Sequence, residues 1–146
     1  MRPLKKFNEF LESEILRKKK ADKERGKSLK KEAERKEKSL KEFLEKIGLK
    51  EENANDVIEN CYDIIIFLIR SKLYVDGYAA SGYNAHEAEI SYLSKLNFLE
   101  EDIRFMNELR YFRNGILYYG KSLNKEYAKK VVDFLKKMLP KLKKLI

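Results

Sequence analysis

Tryptophan is absent from this chain, which holds one cysteine, one histidine, two prolines and six glycines. Each scarcity excludes something. Cys61 has no partner for an intramolecular disulfide, and its place in an apolar run reads as that of a small core residue. His86 is the only imidazole, so no cysteine–histidine cluster exists to hold zinc, and neither a metal nor a cofactor is expected. Only Pro3 and Pro140 remove a backbone donor, while Leu, Lys and Glu are abundant, a balance that favours helix over sheet. There is no Gly-rich phosphate loop and no internal repeat. The longest aliphatic and aromatic run, 64–69, is far shorter than the ~20 residues a membrane-spanning helix needs. Met1-Arg2-Pro3-Leu4-Lys5-Lys6 is not followed by the apolar stretch of a signal peptide. A cytoplasmic protein with no membrane segment is the expectation.

What is present is charge and helical periodicity. The 146 residues suit one domain, and a hydrophobic content of 43% argues against wholesale disorder although 39% of residues are charged. The net charge of +9 is unevenly placed: residues 17–38 hold 12 Lys/Arg against 5 Asp/Glu, and residues 39–146 contribute only +2. This basic segment reads in two ways. It is either a solvated helix face laced with Lys–Glu pairs or an electrostatic arm for RNA, with Arg17, Lys18, Lys19 and Lys20 at its head.

Leu4, Phe7, Leu11 and Ile15 recur at helical spacing, and Leu29, Ala33, Leu40, Phe43, Leu44 and Ile47 do so again. Gly26 is expected to loosen or break the helix between them. The next helix should start near 53–56, with Asp56 and Glu59 spaced as a capping box, and carry apolar residues on nearly every side from Val57 to Ile69. Such a segment is the central helix of a bundle or is shared with a subunit interface. Asp76-Gly77 and Ser81-Gly82 mark a loop, and Asn84 with Glu87 has the spacing of a helix start. Further helices are expected from about Leu99 to Tyr119, stopped by Gly120, and from Asn124 to the end, kinked at Pro140. The fold class is all-α: an antiparallel helical bundle over 39–146 with a basic helical extension over 1–38.

The informative segment is 99–120. Leu99, Ile103, Met106, Arg110, Arg113 and Leu117 follow at steps of three and four, placing Arg113 within an apolar arc. A charge there must snorkel, line a crevice, or meet a carboxylate such as Asp63 or Asp102. Arg113-Asn114-Gly115-Ile116-Leu117-Tyr118-Tyr119-Gly120 resembles the Arg-Asn-x-x-x-His-x-Tyr signature of HEPN domains. Those are helical bundles, often dimeric, of toxin–antitoxin and RNA-processing systems, and the order of helices here is similar.

The resemblance implies a homodimer whose crevice holds Arg110, Arg113, Asn114 and Tyr118, with Tyr119 beside them. Active members are metal-independent ribonucleases that use the arginine and histidine to promote attack of an RNA 2′-OH on its phosphate. Here Tyr118 stands where that histidine would be, and a phenol of reference pKa about 10 is a poor base at neutral pH. Gly120 replaces the later tyrosine, which some members have adenylylated by a partner nucleotidyltransferase. His86, at a helix start, reads as a capping or surface residue, with a catalytic role as its rival. The function expected is a non-catalytic or weakly catalytic HEPN-like module binding RNA or a nucleotidyltransferase-type partner. The alternatives are a ribonuclease toxin of a toxin–antitoxin system and a structural oligomerisation bundle.

Overall fold

In a computed structural model describing residues 1–146, six helices and one short antiparallel ribbon make up the fold, with one of the helices at its centre. The all-α expectation holds. In order they are α1 (Phe7–Glu12), β1 (Leu16–Lys18), α2 (Lys23–Lys46), a 3₁₀ turn (Glu51–Asn53), α3 (Ala54–Val75), β2 (Tyr78–Ala80), α4 (Ala85–Ser91), a second 3₁₀ turn (Tyr92–Ser94), α5 (Glu100–Tyr119) and α6 (Lys125–Lys144). The apolar helix foreseen over 57–69 is α3. Val57, Ile58, Ile64, Ile65, Ile66, Leu68 and Ile69 are each at most 1% exposed, because α2, α4, α5 and α6 all pack against it. Its own chain clothes it, so α3 offers no apolar face to a second copy.

Several ends follow the local chemistry. The Asn124 side chain caps α6 by accepting from the Tyr127 amide at 2.8 Å, and Gly120 ends α5 in the left-handed region at φ 62°. At the start of α3 the cap is Asn53, and Asp56–Glu59 forms no capping box. The Asn53 side chain instead accepts from Lys50 N and donates to Gly48 O, closing the turn that precedes the helix. Pro140 does not end α6, which runs through to Lys144; Met138, Leu139 and Leu142 are buried on either side and hold both halves to the core.

The N-terminal third departs furthest from the periodicity. Gly26 breaks nothing: α2 continues through it, and its missing side chain lets α2 approach α3. A Cβ there would lie 2.5 Å from Val75 Cγ2 and 3.1 Å from Ser71 O. Ser71 Oγ seals the approach by donating to the Gly26 carbonyl at 2.5 Å. Arg17 and Lys18 lie in β1 rather than in a helix, and β1 pairs with β2 in the register Leu16↔Ala80. Lys19 N donates to Gly77 O at 2.9 Å, and Asp22 N donates to Tyr74 O at 2.8 Å. Phe7, Phe10, Leu16 and Ala33 belong to the same buried core as Leu142. The first 38 residues are therefore integral to that core.

Candidate functional site

Three helices bring charged side chains to one half-buried place. Glu59, Tyr62, Asp63 and Arg70 lie at steps of three, one and seven along α3, α4 supplies His86 and Glu89, and α5 supplies Arg110 and Arg113. Arg70 forks onto Glu89, with Nε to Oε2 at 2.6 Å and Nη2 to Oε1 at 3.0 Å. The Glu89 side chain is only 3% exposed. Burial pushes its carboxyl up and the Arg70 hydrogen bonds pull it back. The bidentate geometry favours the ionised pair against that burial.

His86 sits inside this cluster, neither capping nor on the surface. Its ring stacks on Tyr62 with centroids 5.8 Å apart. Nδ1 lies 3.0 Å from Tyr62 Oη, and Nε2 lies 3.3 Å from Arg70 Nη2. A guanidinium can only donate, so Nε2 accepts and Nδ1 carries the proton toward the phenol oxygen. Burial, reinforced by the charges of Arg70, Arg113 and Arg110, pushes the imidazole down to about 4. It is neutral at physiological pH, and its basic nitrogen is already engaged. This is the arrangement of a positioned structural histidine, because a general base needs a free nitrogen and a pKa near 7.

Arg113 finds one of its two anticipated partners. Nη2 donates to Asp63 Oδ1 at 3.2 Å, and the guanidinium lies 5.1 Å above the Tyr62 ring. Asp102 instead accepts from Lys137 Nζ at 2.8 Å. Arg113 Nε is buried and has no partner. Glu59 is adjacent: burial pushes its carboxyl up, Arg113 pulls against that, and Asp56 and Asp63 add to the rise. Arg110 Nε donates to Asn107 Oδ1 at 3.1 Å.

The other expected members of the site are elsewhere. Asn114 makes no side-chain hydrogen bond, while Tyr118 and Tyr119 are 74% and 79% exposed, with Tyr111 and Leu117 also uncovered beside them. Arg113 and Tyr118 are five residues apart, about 140° around a helix, and so point in different directions. The seam holds only in part: Met106 and Leu109 are buried, but Leu99 and Leu117 are exposed.

Nor do the two candidate binding elements meet. Asn55, at the start of α3, donates to Lys121 O at 3.0 Å and accepts from Leu123 N at 2.9 Å, which fixes the end of α5 there. Lys19 and Asp22 bond at the other end of α3, to Gly77 and Tyr74. The 22 residues of α3 span about 33 Å, so Tyr118 and Arg17–Lys20 belong to opposite ends of the molecule.

Of the two readings of segment 17–38, the structure shows few of the pairs that the first requires. Among its twelve basic side chains, only Arg35 meets a carboxylate, that of Glu32. Arg17 Nη2 donates to Ser81 Oγ at 2.9 Å, and Lys19 and Arg25 lie over the Tyr74 ring. Nothing in the sequence marked Arg70, Glu89 and Tyr62 as site residues; the only hint was Arg70 ending an apolar run.

No group of His, Cys, Asp or Glu side chains converges as metal ligands would, and no helix is long and apolar enough to cross a membrane. Comparison with protein-family models, with curated proteins and with solved structures returns no match for this chain.

Proposed function

We propose that this protein is a HEPN-like module that binds RNA through its basic N-terminal face without cleaving it efficiently. The observation that carries the reading is the charge of segment 17–38: eleven of its twelve basic side chains are free of any carboxylate. Unpaired lysines on an ordered scaffold release counterions when they meet phosphates, which makes such a face a polyanion site. The argument against efficient catalysis is chemical. Arg113 is engaged by Asp63, His86 is neutral and engaged by Arg70, and Tyr118 stands apart from both.

Deleting 1–38 is not a usable test, since it would remove Phe7, Phe10 and Leu16 from the core. The test is a salt titration of single-stranded RNA binding to the full chain and to a variant carrying Arg17→Gln, Lys18→Gln, Lys19→Gln and Lys20→Gln. The full chain should bind with a log–log salt slope of several units, and the variant should show a slope smaller by about three. Equal slopes would overturn the reading.

A second reading has its own observation. Leu117, Tyr118 and Tyr119 form an uncovered apolar end on α5, which suits a protein partner of nucleotidyltransferase type better than a phosphate backbone. A second copy of the chain is the rival occupant, and light scattering at tens of micromolar separates the two.

A further inference from the structure

Tyr83 is 100% exposed, the one large apolar side chain that nothing in the protein covers at all. Its backbone, by contrast, is fixed. Ser81 N, two residues before it, donates to Ile15 O at 3.0 Å, and Gly82 turns the chain at φ 91°. Ala85 N then donates to Gly82 O at 3.3 Å, closing a turn that has Tyr83 and Asn84 at its crown and leads into α4. A backbone held in this way leaves only the ring's own two torsions to be ordered when something flat covers it.

The turn stands beside the head of the basic segment. Arg17 Nη2 donates to Ser81 Oγ at 2.9 Å, and the Tyr83 Cα is within about 7 Å of that of Ser81. Ser81 thus holds the guanidinium at the root of the turn while leaving most of its donors free. Lys18, Lys19 and Lys20 continue from there along the ribbon, toward Gly77. All four cations are exposed and none meets a carboxylate. Two exposed acidic residues, Glu12 and Glu14, lie beyond the opposite end of β1. The other aromatics near the basic run are occupied. Tyr74 lies under Lys19 and Arg25, and Tyr78 packs edge-on against Phe7.

We infer that Tyr83 is a base-stacking platform for single-stranded RNA, with Arg17 and Lys18–Lys20 taking the phosphates that lead away from it; this rests on the RNA reading above. The ring is open on both faces, and stacking tolerates whichever base arrives. Cations on one side and carboxylates on the other give the strand one exit, along the ribbon toward Gly77. A duplex fits less well, because its bases already stack on one another and present no free face to a tyrosine.

The experiment measures binding of an oligouridylate, of the same strand lacking its bases, and of an RNA duplex of equal length. It compares the full chain with Tyr83→Ala and Tyr83→Phe, both of which should melt as the full chain does, since the ring covers nothing. Tyr83→Ala should weaken oligouridylate binding by roughly five- to 150-fold with an unchanged salt slope, because a ring and not a charge is lost. Tyr83→Phe should bind as the full chain does, and the base-free strand should not distinguish the three proteins. The chain has no tryptophan, so Tyr83→Trp supplies a single reporter. Its emission should fall on adding oligouridylate and hold steady with the base-free strand. If Tyr83→Ala binds oligouridylate as tightly as the full chain, the inference is overturned and the proposed RNA binding stands. A full chain that prefers the duplex has the same consequence. Failure of the full chain to bind any RNA removes both.

Discussion

Arg113 and Asp63, fifty residues apart in the chain, meet at 3.2 Å between two helices, with the guanidinium laid over the Tyr62 ring. Their side chains are 19% and 25% exposed, so the pair is more than a surface contact and less than a fully buried one. Arg113→Ala should destabilise the fold by about 1–3 kcal/mol, because it leaves Asp63 half-buried beside the already crowded Glu59. Arg113→Ala with Asp63→Ala should recover part of that loss. Urea midpoints of the three variants measure it; a stability unchanged by the single substitution would show that the pair holds nothing together.

His86 should make the protein acid-sensitive in a defined window. Its folded pKa of about 4 lies below the ordinary 6.5, so the unfolded chain binds the extra proton first as pH falls. The stabilisation is fully present above pH 6.5 and is lost between there and pH 4. His86→Gln, which has no such titration, should flatten the curve of melting temperature against pH in that interval. Parallel curves for the two proteins would assign the acid sensitivity elsewhere.

Gly26→Ala should destabilise although alanine is the better helix former. The gain in propensity is about 1 kcal/mol. Against it stands a methyl placed 2.5 Å from Val75 and 3.1 Å from a backbone carbonyl, an overpacking that costs about 1–3 kcal/mol or more. Adding Val75→Ala removes the first clash and should restore part of the loss. Thermal melts of both variants test this, and a stabilised Gly26→Ala would refute the close-packing account.

Cleavage of single-stranded RNA should be slow, lacking the factor of about 10²–10⁴ that a positioned general base supplies. Tyr118→His should raise it only at concentrations where two chains associate, since residue 118 and Arg113 of one chain face different ways. Fast metal-independent cleavage by the unmodified protein, abolished by Arg113→Ala, would establish an active ribonuclease instead.

The helical elements were legible where local chemistry decides them. Asn124 and Gly120 fix helix ends through their own side chain or lack of one, and the all-round apolar character of 57–69 foretold a covered central helix. Where a distant partner decides, the sequence was silent. Gly26 looks the same whether it breaks a helix or admits Val75, and only the neighbour distinguishes them. The β1 and β2 strands are three residues each, too short for an alternating pattern, and exist because Leu16 is drawn into the core. For Arg113 the periodicity narrowed the partner to two carboxylates. The Arg70–Glu89–His86 assembly, by contrast, spans 16 to 19 residues between separate helices, with no motif to announce it.

The β1–β2 ribbon has a consequence for the order in which the chain takes shape. Leu16 pairs with Ala80, and Arg17 reaches Ser81, 64 residues further on. During synthesis the N-terminal stretch emerges first but has nothing to dock on until the α2–α3 hairpin and the segment after it have been made. The first residues out are thus among the last to settle. A nascent chain that has emerged only as far as residue 75 would hold the α2–α3 hairpin with residues 1–22, the basic run 17–20 among them, still loose.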